Sequence, residues 1–115
     1  MTLSFYRNLF DYNYWARDRF FEALREIAPH TFVQDMGDGV GSIRDKLTHI
    51  LGAEKIWLER LLGNPGAFLT ADHVADLPTL QQLWAEAEQG WVDFLDGQTN
   101  ETLNDVFRYK DLKGN

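Results

Sequence analysis

Gly41-Ser42-Ile43-Arg44-Asp45-Lys46-Leu47-Thr48-His49-Ile50-Leu51-Gly52-Ala53-Glu54-Lys55-Ile56-Trp57-Leu58 decides how this chain folds. Ile43, Leu47, Ile50, Leu51, Glu54, Trp57, Leu58 and Leu61 recur at steps of three and four. That spacing lays them along one stripe of a helix over residues 43–62. Ser42 has the chemistry of an N-cap, since its hydroxyl can accept from the free amides of the first turn. Asp45, three residues on, completes a capping box. Gly63-Asn64-Pro65-Gly66 supplies a C-terminal stop. Glu54 sits in the middle of the apolar stripe. Burying a carboxylate costs several kcal/mol unless it is paired or protonated. Glu54 therefore requires a partner, an arginine or a backbone amide, or a polar cavity in front of it.

Two further helices follow from the same periodicity. Tyr6, Leu9, Phe10, Asn13, Ala16, Phe20, Ala23, Leu24 and Ile27 form a stripe that predicts a helix over residues 4–27. Pro29 stops it, because the residue before a proline is disfavoured in the helical region. Asn13 is a second polar intrusion into an apolar stripe. Residues 34–41 carry three glycines and two aspartates and read as a loop. Leu80, Leu83, Trp84, Ala87, Trp91, Phe94 and Leu95 predict a third helix over residues 78–96, with Pro78 in its first turn and Gly97 beyond its end. Gly90 weakens that helix by about 1 kcal/mol relative to alanine. Val106-Phe107-Arg108-Tyr109-Lys110 alternates and reads as a short strand, and residues 111–115 carry turn chemistry. A strand and turn without a return strand predict a chain truncated within a hairpin. A polar tail is the other reading.

The expected class is all-α, in one domain over residues 1–115. Hydrophobic residues make up 44% and charged residues 25% of the 115, as in globular domains and unlike disordered chains. The net charge is −7, and the Lys and Arg residues form no cluster, which excludes the basic footprint that phosphate binding needs. The absence of cysteine excludes disulfides and thiolate metal sites within the chain. No window approaches the ~18 apolar residues of a membrane span, and the N-terminus has no basic leader followed by an apolar run. No membrane partner and a cytoplasmic location are therefore expected.

Three histidines are present. His30 and His73 fall in a helix-terminating segment and a loop, and both read as solvated. His49 lies on the second helix, to the side of its main stripe, near Ser42, Lys46, Ala53 and Ile56. A helix in a bundle touches two neighbours, so a side position can look into a groove. Taken alone, a single histidine there is a structural or surface residue, because catalytic zinc-type sites use three protein ligands. Asp45 shares its side and reads first as the cap acid. No nucleophile elbow, phosphate-binding glycine loop or H-E-x-x-H occurs.

Tyr12-Asn13-Tyr14-Trp15-Ala16 resembles the Y-N-x-W-A signature of the DinB-like family. The segment from Gly41 through His49 and Ile50, with Glu54 and Trp57 following, is similar to that family's G-S-I-x-x-x-L-x-H-I and A-E-x-x-W. Residues 107–115 look like the strand and turn that precede the family's last helix. The resemblance covers essentially the whole chain. It implies an antiparallel four-helix bundle, here with three helices and a short β segment and without the fourth helix. It further implies a divalent metal, nickel or zinc, held by three histidines, of which His49 matches the first. The other two belong to an H-x-x-x-H motif that this sequence does not contain, so the chain as given is expected to hold no metal by itself and to be inactive.

The activity implied by the resemblance is metal-dependent: transfer to or from a low-molecular-weight thiol, or hydrolase-type chemistry on a small-molecule substrate. Asn13 and Glu54 are candidate pocket residues beside His49. A homodimer is the implied assembly. The alternative is a non-enzymatic interaction module that dimerises through the groove where a fourth helix would lie.

Overall fold

The computed structural model describes residues 2–105 together with Arg108, Lys110, Leu112 and Lys113. Helix α1 spans Leu3–Leu24, α2 Pro29–Val33, α3 Ile43–Leu61 and α4 Leu77–Asp96. Single 3-10 turns occupy Ala71–His73 and Thr102–Asn104. Among the described residues there is no strand. The strand expected at residues 106–110 lies largely outside them. Leu112 and Lys113 sit in a turn. No described helix is long and apolar enough to cross a membrane.

The helix boundaries follow local chemistry. Thr2 caps α1 by accepting from the Phe5 amide at 3.2 Å. The helix closes three residues earlier than its apolar stripe predicts, because Glu26 and Ile27 donate to Ala23 and Leu24 and tighten the last turn. Pro29 does more than stop α1. It occupies the first turn of α2, where a missing amide costs nothing. Sequence reading missed α2, and His30 stands on it rather than in a loop. At α3 the capping box forms as expected. The Asp45 amide donates to Ser42 Oγ at 3.0 Å, and the Ser42 amide donates to Asp45 Oδ2 at 2.9 Å. Gly41 precedes it at φ +84, and a Cβ there would lie 3.0 Å from Asp45 Oδ2. Glycine is thus required both for the backbone angle and for the close approach. Helix α4 starts at Leu77, with Asp76 accepting from the Thr79 amide at 2.9 Å.

The core lies where α3 packs on α4, with α1 and α2 closing it. Leu51, Val74 and Leu80 are fully buried, and Phe32, Trp84, Ala87 and Tyr14 join them. Helices α3 and α4 approach closely at Gly90, where a Cβ would fall 2.7 Å from Leu58 Cδ2. That contact is why a poor helix former stands inside α4.

The apolar stripes do not all end up inside. Leu9 (49% exposed), Phe20 (61%), Ile50 (47%) and Trp57 (41%) belong to the predicted stripes of α1 and α3 yet face solvent. The opposite side of α3 is buried instead. Thr48, Gly52 and Ile56 lie under other parts of the chain, and a Cβ on Gly52 would lie 3.5 Å from Leu69 Cβ. The physical reason is neighbour geometry. Helix α4 and the crossover between α3 and α4 cover two sides of α3, and the side carrying Ile50 and Trp57 is turned away from both and stays partly open to solvent.

Candidate functional site

Glu54 is the point where α1, α3 and α4 are tied together. Its Oε1 accepts from Asn13 Nδ2 at 2.7 Å. Its Oε2 accepts from Trp84 Nε1 at 2.9 Å and from the Tyr14 hydroxyl at 3.3 Å. Its backbone carbonyl accepts from Trp91 Nε1 at 3.1 Å. The expected arginine or backbone-amide partner is absent from this set. The carboxylate is held by a side-chain amide, an indole and a phenol. Trp84 and Trp91 read in the sequence as core alone. The signal that could have assigned them is the requirement that a buried indole N–H find an acceptor, with Glu54 on the facing helix as the obvious one.

Burial pushes the Tyr14 phenol far above its usual range, reinforced by the Glu54 charge, the hydrogen bond to it and the charge of Glu88, with Arg17 acting against them. Arg17 stacks over the Tyr14 ring, 4.7 Å from its centroid, and pairs with Glu88 at 2.6 Å and Asp18 at 2.9 Å. The Glu54 cluster is therefore a satisfied polar network spanning three helices. Its chemistry is that of positioning. Tyr14 and Trp91 of this network, with Glu88 beside it, also line a cavity of about 460 Å³ between α1 and α4.

His49 is elsewhere. It lies five positions before Glu54, which turns it roughly 140° away around α3. It is exposed. Its ring lies 6.0 Å from that of Phe68, on the crossover to α4, with the planes at 52°. The structure thus brings Asn13 and Glu54 together, as a pair in contact, and leaves His49 apart from them. Asp45 spends its carboxylate on the cap, and the two hydrogen bonds with Ser42 hold its pKa below the usual carboxylate range. His73 Nδ1 accepts from the Thr70 amide at 3.1 Å, which fixes the 3-10 turn.

Between these two places runs an apolar face. Helix α1 presents Phe5, Leu9, Tyr12 and Phe20, and α3 presents Ile50 and Trp57, each at least 41% exposed. The Asn13–Glu54 hydrogen bond links the two helices along the inner edge of this face. His49 stands at its far edge, next to Ala53 on the helical wheel.

A model of the DinB family matches residues 1–112. The chain belongs to the DinB family. Comparison with curated proteins and with solved structures finds no match. Membership accords with the all-helical fold, and DinB proteins are generally metal-associated. Among the described residues of this DinB chain, no group of three or more His, Cys, Asp or Glu side chains could hold a metal ion. One exposed imidazole does not fit a catalytic metal, which uses three protein ligands and an open position.

Proposed function

We propose that this chain is the His49-bearing unit of a divalent-metal-dependent enzyme of the DinB family, using nickel or zinc for thiol-transfer or hydrolase-type chemistry on a small molecule. The observation that carries the reading is the position of His49. It is exposed, it lies against Phe68, and it borders the apolar α1/α3 face. A helix seated on that face would come alongside His49 and could bring the remaining donors. One imidazole supports no reaction step, and none is derived from it. Within this reading, the chain's own residues supply the α1–α3–α4 framework through Glu54 and a ring held against Phe68.

A second reading is favoured by the apolar face itself. The exposed side chains of Phe5, Leu9, Tyr12, Phe20, Ile50 and Trp57 together present on the order of 500 Å² of apolar surface, the scale at which monomer patches become interaction sites. In that reading a second copy of the chain covers the face, and the protein is a non-enzymatic module.

Titration of the chain with nickel and zinc chloride, followed by calorimetry and light scattering on wild type and His49→Ala, separates the two. For the metalloenzyme the chain alone is expected to bind either ion only weakly, and a helical peptide carrying H-x-x-x-H, added to the titration, should give saturable binding of about one ion per chain that His49→Ala abolishes. A stable dimer that gains no metal binding with the peptide and does not respond to His49→Ala would overturn it and support the module.

A further inference from the structure

At the end of the bundle where α1, α2 and the start of α4 meet, a mostly apolar cavity of about 710 Å³ opens between Leu24, Ile27, Phe32 and Leu77. Leu24 and Phe32 are members of the core cluster, and Ile27 and Leu77 pack against it. The floor is therefore fixed by the core. No residue of α3 lines this cavity, so it is separate from both His49 and Glu54. Its volume is that of a small-molecule site.

The mouth carries Arg25 and His30, both exposed. The other arginines of α1 are all paired: Arg7 with Asp96 at 2.9 Å, Arg17 with Glu88 at 2.6 Å and Arg19 with Glu22 at 3.1 Å. Arg25 has no ion pair or side-chain hydrogen bond among the described residues, and neither has His30, in a chain with 18 acidic residues against 11 basic ones. Asp76 also reaches the cavity. Its Oδ1 is committed to the first turn of α4, accepting from the Thr79 amide at 2.9 Å and the Thr79 hydroxyl at 2.5 Å, and Oδ2 makes no hydrogen bond among the described residues. The Arg25 guanidinium at the mouth pairs with neither Asp76 nor any other described carboxylate, beside an apolar interior.

We propose that this cavity binds a single-chain amphiphile with a carboxylate head. The aliphatic chain lies against Leu24, Ile27, Phe32 and Leu77. The head pairs with the Arg25 guanidinium, whose fork of N–H donors matches a carboxylate, and His30 adds a further donor. The preference over a neutral or cationic head comes from Arg25 alone, because the apolar contacts are the same for all three.

Calorimetric titration of the full chain with monomeric decanoate, decanol and decylammonium tests this. Decanoate is expected to bind about tenfold more tightly than decanol, and decylammonium most weakly. Arg25→Gln should bring decanoate to the level of decanol and leave decanol itself unchanged. Val33→Trp, which fills the mouth, should remove binding of all three, with an unchanged thermal melt showing that the fold survives. Ile50→Lys, on the separate α1/α3 face, should leave decanoate binding intact. Equal binding of the three probes, no binding of decanoate, an Arg25→Gln protein that still prefers decanoate, or loss of binding in Ile50→Lys would each overturn the proposal.

Discussion

The Trp84 indole donates to the Glu54 carboxylate at 2.9 Å, and through that bond α4 is fixed to α3 at the point where Asn13 and Tyr14 fix α1. A carboxylate here has only acceptors to offer, and every group around it is a donor. Glu54→Gln replaces one acceptor oxygen with an NH₂ group that must point at a donor. We expect a loss of about 1–3 kcal/mol in urea unfolding. Glu54→Leu should cost no less, since it leaves the Trp84 and Asn13 donors without an acceptor. A Glu54→Gln protein as stable as wild type would show that the network carries no weight.

What the sequence revealed and what it hid have the same origin. The steps of three and four located all three long helices, and the Ser42–Asp45 spacing located a cap that the structure reproduces atom by atom. Periodicity reports that a side of a helix is apolar. It does not report which neighbour covers it, so Ile50 and Trp57 looked like core and stand in solvent, whereas Thr48 and Ile56 are inside. Helix α2 was invisible because five residues are too few to show a period. For Glu54, its misfit with the stripe was legible but its partners were not, because they come from two other helices. His49 stands out by its side position on the helix, but its reading as a metal ligand came only through family resemblance, and among the described residues nothing around it adds a second ligand.

Gly90 offers a test of the α3–α4 contact. Alanine would gain about 1 kcal/mol in helix propensity. Its Cβ would fall 2.7 Å from Leu58 Cδ2, a buried methyl, and overpacking of that kind costs about 1–3 kcal/mol. Net destabilisation by Gly90→Ala is expected. Leu58→Ala should lose less in the Gly90→Ala background than in wild type, because the new methyl partly fills the space. Additive losses in a double-mutant cycle would show that the two positions do not touch.

The Ser42 cap should respond to acid in a definite direction. Asp45 has its pKa lowered in the fold by hydrogen bonds with Ser42, so its contribution is present above the unfolded carboxylate value and is lost as pH falls through the folded one. The window opens below about pH 4. Ser42→Ala is expected to cost about 1 kcal/mol at neutral pH. Asp45→Asn should flatten the acid limb of the stability profile, measured as urea midpoints from neutral pH down to pH 3. An unchanged acid limb in Asp45→Asn would assign acid sensitivity to other carboxylates.

Tyr14 should act at the other end of the pH scale. Its pKa is raised by burial and by Glu54, so its contribution is present below the unfolded phenol value and is lost as pH rises above it. Ionising it would bury a phenolate against a carboxylate. Stability should therefore fall above about pH 10. Tyr14→Phe, which keeps the ring and deletes the hydroxyl, should weaken that alkaline fall at a neutral-pH cost of about 1 kcal/mol. A Tyr14→Phe protein with the same alkaline profile as wild type would place the sensitive group elsewhere.

The exposed α1/α3 face separates folding from association. Phe20 and Ile50 are 61% and 47% exposed, so replacing them with polar residues removes little that the isolated chain has buried. Phe20→Ser and Ile50→Lys are expected to change unfolding free energy by about 0.5 kcal/mol or less. The same changes should abolish any concentration-dependent assembly, because a lysine at the centre of an apolar contact must be desolvated without a partner. Sedimentation of wild type and both variants across a range of concentrations reads this directly. Loss of stability without loss of assembly would mean that the face is packed within the monomer and that association uses another surface.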